Sequence, residues 1–250
     1  MSDANGKTRV VILAGGRGTR LAPYTSILPK PLMPIGDRAI LEIVIEQLAA
    51  AGFNDVVVSV GHLAHLIRAV FDHDHTPQPR ETRISYVYEE EPLGTAGSLK
   101  LVGGLDETFL VMNGDLLTTL DYADLLRRHK EGGHVVTIAS KRRGIKVDYG
   151  VLHLDGQSGP VSTVARYEEK PEFVSTVSMG VYALEPRALE FVPQSGAFDF
   201  PELVDALLAA REPVGAYVYE GLWFDIGRRD DYERAVAAWD SGAFHASPQT

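Results

Sequence analysis

The sequence predicts an α/β fold: a mostly parallel sheet flanked by helices, followed by a smaller mixed-sheet half. Three observations carry this. Short β-branched runs alternate with amphipathic stretches through the first 140 residues, the pattern of a parallel sheet covered on both faces. The apolar run Val10–Leu13 leads into three glycines, Gly15, Gly16 and Gly18, which let backbone approach a ligand without Cβ clashes. Beyond residue 140 the alternation lapses and strand-like runs follow one another.

Val10–Leu13 reads as a buried strand. Ile40, Leu41, Val44, Ile45 and Leu48 recur at helical spacing before Gly52. Asp55–Val60 is β-branched and strand-like, His62–Phe71 reads as helix, and Arg83–Tyr88 alternates as a strand does. Thr95–Val102 reads as a short helix and Phe109–Met112 as a buried strand ending at Asn113-Gly114-Asp115. Asp121 is placed to cap a helix running to Glu131, and His134–Ser140 closes the alternation as a strand. The second part reads as strands at Tyr149–Leu154, Val161–Tyr167, Val177–Leu184 and Pro213–Tyr219. Helices are expected near Pro186–Phe191 and Pro201–Ala210, with a last one at Asp230–Trp239. No linker or internal repeat divides the chain. The expectation is therefore one domain over residues 1–250: a parallel-sheet half at about 8–140, a smaller mixed-sheet half at about 141–240, and a frayed tail at 241–250.

The 250 residues carry a net charge of −10 and no cysteine. Disulfides, thiolate metal sites and a cysteine nucleophile are thereby excluded. An acidic chain is a poor partner for nucleic acid or an anionic membrane, so neither is expected. The polar start, Met1 to Arg9, runs straight into a strand. No signal peptide is expected, and the location expected is cytoplasmic. Yet the first 36 residues hold Asp3 as their only acid, alongside Arg17, Arg20 and Lys30. Positive charge confined to a glycine loop suits a small polyphosphate. The loop is neither a dinucleotide fingerprint, since Leu21 stands where a third glycine is needed, nor a P-loop, since Gly-Lys-Ser/Thr is missing. The histidines His62, His65, His73 and His75 lack a third ligand cluster, and no metal site is expected there.

The stretch Leu13–Leu32, with Pro34 and Ile35, resembles the opening motif of the sugar-1-phosphate nucleotidylyltransferases, also called nucleotide-sugar pyrophosphorylases. The resemblance continues through Glu90-Glu91-Pro92-Leu93-Gly94-Thr95-Ala96-Gly97, Asn113-Gly114-Asp115, Tyr149-Gly150, Glu169-Lys170-Pro171 and Trp223-Phe224-Asp225-Ile226-Gly227. It implies a Rossmann-like fold, with a nucleotide-binding first half and a sugar-phosphate second half, and Mg²⁺-dependent transfer of a nucleotidyl group from an NTP to a sugar 1-phosphate, with release of pyrophosphate. Both reactants are anions, so positioning and charge neutralisation carry such a reaction. The resemblance puts Arg20 on the NTP phosphates and Lys30 near the α-phosphate. It gives the nucleotide Leu13, Ala14, Gly15 and Gly16 from the first motif and Pro92, Gly94 and Thr95 from the second. Asp115 and Asp225 become the Mg²⁺ ligands, Asp115 being counted with Arg20 and Lys30 as catalytic. A cation that takes one or two carboxylates plus phosphate oxygens suits such a pair. Gly150, Glu169, Lys170 and Gly180 fall to the sugar 1-phosphate. Ser178 and Met179 depart from the Asn or Thr often found before the glycine matching Gly180, which leaves mannose, glucose, heptose and cyclitol phosphates all open.

Glu89 bears on the base. Ionised, it only accepts hydrogen bonds. That suits the two adjacent donors of guanine and repels the acceptors of uracil or thymine. The run Glu-Glu-Glu-Pro-Leu-Gly-Thr-Ala-Gly also resembles the loop of mannose-1-phosphate guanylyltransferases, so GTP is the favoured donor. A solvent-facing Glu89, or Glu90 as base reader, are the other readings. Uridylyl or thymidylyl transfer, a noncatalytic nucleotide-sugar sensor and a nucleotide-sugar-dependent glycosyltransferase are the competing functions. The C-terminal hexapeptide-repeat extension of many relatives is not expected, nor an oligomer built through one; other homo-oligomers stay open.

Overall fold

The computed structural model describes residues 8–16, 18, 24–71, 82–156 and 160–244. In chain order its strands and helices are β1 (Arg9–Ala14), β2 (Pro34–Ile35), β3 (Arg38–Ala39), α1 (Ile40–Ala50), β4 (Asp55–Val60), α2 (Ala64–Phe71), β5 (Arg83–Tyr88), α3 (Gly94–Gly97), β6 (Phe109–Asn113), β7 (Leu116–Thr118), α4 (Tyr122–Gly132), β8 (Val136–Lys146), β9 (Gly150–Asp155), β10 (Thr163–Glu169), β11 (Glu172–Leu184), α5 (Phe200–Ala209), β12 (Val214–Val218), β13 (Trp223–Asp225) and α6 (Arg229–Asp240). Three 3₁₀ turns matter below: Lys30–Leu32, Ser98–Leu101 and Pro186–Phe191.

Seven strands form the central sheet in the order β12-β8-β11-β6-β1-β4-β5. β1 pairs in parallel with β4 and β6, and β4 with β5. The alternation read from the sequence is thus a parallel sheet, as expected. β11 is the antiparallel member, lying between β6 and β8. β11 and β12 come from the second half of the chain and complete the sheet, while β9 and β10 form a separate antiparallel hairpin.

β1 shows why the fold needs cover on both sides. Val10 and Ile12 join one core and Val11 the other, and all three are fully buried. Successive strand side chains point to opposite faces, so a strand this apolar must be central. The first core takes α1 through Ile40, Leu41, Val44, Ile45 and Leu48. The second takes Phe200, Leu203 and Leu207 of α5. Asp121 caps α4, its carboxylate accepting from Asp124 N–H at 2.9 Å.

Three local outcomes differ from the sequence reading. Thr95–Val102 is one α-turn followed by a 3₁₀ turn, and Pro186–Phe191 is 3₁₀ throughout. The strands expected at 134–140 and 177–184 run on to Lys146 and back to Glu172. Their extensions pair with each other as a two-stranded ribbon that leads to the β9–β10 hairpin. No helix among the described residues is long and apolar enough to cross a membrane.

Candidate functional site

The chain runs β1, β4, β5 to one side and then returns to place β6 on the other side of β1. This reversal opens a crevice beyond the carboxyl ends of β1 and β6, where open α/β sheets bind ligands. A cleft of about 360 Å³ lies there. Leu13, Ala14, Gly15, Gly16, Glu89, Pro92, Gly94 and Thr95, the whole expected nucleotide set, line it, together with Lys30, Asn113 and Asp115. Three segments far apart in sequence converge because each follows a parallel strand: β1, β5 or β6. Arg20 lies outside the described residues.

Lys30 opens a 3₁₀ turn between Pro29 and Met33, which buries its stem to 9% exposure. Its Nζ reaches Asp115 Oδ2 at 2.5 Å. Glu89 is half-buried in the cleft wall, and Glu90 is exposed and outside that lining. One Glu89 oxygen accepts from Ser59 Oγ at 2.8 Å, and the other faces Leu93 N–H at 3.4 Å. Gly15 makes this possible. A Cβ there would stand 2.5 Å from Glu89 Oε1, so only glycine lets the loop and the carboxylate share the space.

Asp225 reaches the same end of the sheet by a separate route. β13 pairs antiparallel with β7, placing Asp225 opposite Leu116, and Ile226 N–H donates to the Asp115 carbonyl at 3.0 Å. The two aspartates, 110 positions apart, are therefore on adjoining backbone. Asp225 Oδ1 accepts from Gly227 N–H at 2.9 Å. Trp223 anchors the strand: its Nε1–H donates to the Met179 carbonyl, and Arg143 lies over its ring. Arg143 reaches the buried Asp231 at 3.1 Å, tying β8 to α6, and Arg234 within α6 meets the same carboxylate at 3.1 Å. The sequence motif marked Asp225 but not this bracing.

The expected sugar-phosphate residues fall in two places, and none lines the 360 Å³ cleft. Glu169 pairs in register with Gly150 across the β9–β10 hairpin. Tyr167 lies against Gly150 and its hydroxyl donates to the Glu169 carboxylate. Lys170 closes the hairpin in a left-handed conformation, φ 48°, with its N–H donating to the Tyr149 carbonyl at 3.3 Å. Such a backbone is costly for a residue with a side chain. Gly180 sits apart, in the irregular stretch of β11 between Ser178 and Tyr182. Its φ is 76° and a Cβ would meet Asn113 Nδ2 at 2.6 Å. Ser178 Oγ accepts from Gly180 N–H at 3.2 Å, bracing that irregularity. Met179 is 1% exposed and belongs to the core.

Two cleft residues were missed from the sequence: Ser98, whose Oγ–H donates to the Thr95 carbonyl at 3.3 Å, and Asp199. Asp199 precedes α5, and its Oδ1 accepts from both Thr95 N–H at 2.7 Å and Thr95 Oγ1–H at 3.0 Å. Glu202 Oε2 accepts from Asp199 N–H in return. The spacing Asp-x-x-Glu before an apolar run was the available signal, but nothing in it announces a contact 104 residues back in the chain.

The sequence matches the nucleotidyl transferase family over residues 9–241. The chain belongs to that family. It is 33% identical over 252 residues to a UTP–glucose-1-phosphate uridylyltransferase of Synechocystis sp., covering 91% of this chain and 62% of that protein. It is 33% identical over 251 residues to a mannose-1-phosphate guanyltransferase of Yarrowia lipolytica, covering 96% of this chain and 66% of that one. The chain thus spans just under two thirds of either relative's length. Among solved structures, HddC from Yersinia pseudotuberculosis complexed with GMP-PN superposes with a TM-score of 0.68 at 27% identity, over 93% of this chain and 99% of that one.

Proposed function

We propose that the protein transfers a nucleotidyl group from a nucleoside triphosphate to a sugar 1-phosphate, with Mg²⁺ as cofactor and GTP as the favoured donor. One observation carries the reading. Lys30 Nζ meets Asp115 Oδ2 at the edge of a glycine-lined cleft, and a separate strand brings Asp225 to the same backbone. A phosphate-neutralising cation and one carboxylate therefore line the cleft, and the segment bearing a second carboxylate is bonded to the Asp115 backbone beside it.

Asp115 and Asp225 form an all-oxygen, doubly anionic donor pair, which fits Mg²⁺ completed by phosphate oxygens and water. When bound, Mg²⁺ supplies charge neutralisation of the triphosphate. The chain's own groups do the rest. An oxygen of the sugar 1-phosphate attacks the α-phosphorus, the bond to the β-phosphoryl oxygen breaks, and pyrophosphate leaves. Lys30 offsets charge that grows at the α-phosphate, and Arg20 is assigned to the departing pyrophosphate by its place in the motif. With no covalent nucleophile required, positioning and fixed charge supply the rate. The sugar 1-phosphate is assigned to Gly150, Glu169, Lys170 and Gly180.

The Glu89 carboxylate supports the guanine reading, because it offers two acceptors to two adjacent donors. The complex of HddC with GMP-PN and the Yarrowia guanyltransferase point the same way. The Synechocystis uridylyltransferase, equally similar, supports UTP as the second reading. A noncatalytic sensor has no use for both the Lys30–Asp115 pair and Asp225. The test is a grid of four NTPs against several sugar 1-phosphates, scored by pyrophosphate release with Mg²⁺ or EDTA. The expected result is Mg²⁺-dependent release, greatest in the GTP column. Silence across the grid sinks the catalytic reading, and a UTP maximum replaces the guanine one.

A further inference from the structure

Ser59 interrupts the valine run of β4: Val56, Val57 and Val58 precede it and Val60 follows. It is completely buried, in register with Leu13 of β1 and Val87 of β5. A hydroxyl in that position is costly unless it is bonded. Its bond goes to Glu89 Oε1 at 2.8 Å. Because an ionised carboxylate only accepts, Ser59 is the donor. Glu89 is fixed further. Its N–H donates to the Val60 carbonyl at 2.9 Å, Leu93 N–H faces its second oxygen, and Gly15 leaves the room it occupies. Among the described residues these partners are all neutral. The carboxylate is thus fixed in the cleft wall by hydrogen bonds from neutral groups.

We infer that Ser59 is the positioning residue for nucleobase selection: from beneath the cleft it locks the Glu89 carboxylate so that one remaining lone pair on each oxygen faces the base. This rests on the proposed reading of Glu89 as the base-contacting residue. A carboxylate free to rotate about its last torsion spreads its acceptors over many directions. Held at both oxygens, it offers a fixed pair that favours two adjacent N–H donors and penalises a base edge bearing acceptors. Selectivity of this kind comes from the wrong base leaving buried polar groups unpaired.

The test is a double-substitution cycle on the full chain, with kcat/KM measured for GTP and UTP and the melting temperature recorded for each variant. Ser59→Ala is expected to lower the GTP-over-UTP ratio by about tenfold, the worth of one hydrogen bond to a charged group. The change falls in the KM for nucleotide, with the KM for sugar 1-phosphate unmoved. Ser59→Thr, which keeps the hydroxyl on a β-branched side chain suited to a strand, restores the ratio. In a Glu89→Ala background Ser59→Ala has little further effect on the ratio, because the acceptor it bonds has gone. A loss of melting temperature with the ratio intact means that Ser59 only packs, and overturns the inference. So does simple additivity of the two substitutions. If Glu89→Gln alone leaves the ratio unchanged, the base reading itself fails and the inference falls with it. If Glu89→Gln changes the ratio and Ser59→Ala does not, only the role of Ser59 is lost.

Discussion

Replacing Lys30 with Met separates its charge from its packing, because the new side chain keeps the buried stem and removes the ammonium. The side chains of Lys30 and Asp115 are 10% and 17% exposed, and their charged atoms meet at 2.5 Å. Removing one partner of so enclosed a pair strands the other charge, at a cost of about 3 kcal/mol, the lower end for buried pairs because Asp115 keeps some water. For a chain of this length each kcal/mol moves the midpoint by about 2–4 °C, so Lys30→Met should melt about 6–12 °C below the parent protein in EDTA. Adding Asp115→Asn removes the stranded charge and should recover most of the loss. Mg²⁺ should raise the midpoint of Lys30→Met more than that of the parent, because in the variant a metal ion alone would neutralise the carboxylate. Scanning calorimetry with and without Mg²⁺ measures all of this. In turnover, the same substitution should depress kcat more than it raises the KM for nucleotide. An Lys30→Met midpoint within about 1 °C of the parent refutes the buried-pair reasoning. Equal Mg²⁺ stabilisation of parent and variant refutes Asp115 as a metal ligand.

Asp225→Ala should abolish Mg²⁺-dependent pyrophosphate release while the protein still melts cooperatively; retained turnover would remove Asp225 from the metal site. Asp199→Ala, which frees Thr95 N–H and ends the cap on α5, should cost about 1–2 kcal/mol in urea denaturation and raise the KM for nucleotide more than that for sugar 1-phosphate. Equal shifts in the two KM values would make Asp199 a purely structural cap. His129 links stability to pH. Burial holds it below its ordinary value against the opposing pull of Glu185, with His134 and Lys130 pushing the same way as burial. Neutral, it donates from Nε2 to Glu185 Oε1 and accepts at Nδ1 from Thr137. The unfolded chain binds the proton first as pH falls, so this stability is complete above about pH 7 and declines as pH drops through about 6.5, by at most about 1.4 kcal/mol per pH unit. Urea midpoints at pH 7.5 and 5.5 should show that decline in the parent and a smaller one in His129→Gln; equal declines would assign it to other groups.

The parallel sheet and the cleft were legible because each rests on local pattern. Val10, Val11 and Ile12 are apolar on consecutive positions and must be central, and the glycines, Lys30 and Asp115 all follow such strands. That Asp115 and Asp225 lie on adjoining backbone was legible only as chemistry. The β7–β13 ladder that joins them consists of two three-residue strands, too short to show a period. Ser59 and Asp199 were hidden for a related reason. A serine in a strand and an aspartate before a helix have ordinary local explanations, and what distinguishes them is a partner 30 or 104 residues away. Met179 shows the reverse case. Its place in the motif drew attention to the sugar, whereas the irregularity at Gly180 turns it into the core.

The position of β11 between β6 and β8 has a consequence for how the chain is made. Synthesis proceeds from the N-terminus, and β6 emerges long before β11 is complete at Leu184. Through that interval β6 has β1 on one side only, and residues Phe109–Met112, each of them buried in the finished protein, border an open hydrogen-bonding edge. An apolar edge of this kind templates pairing with other chains. Translation pauses or truncations before residue 184 should therefore yield aggregates, whereas the finished sheet has β12 and β5 as its two outer strands.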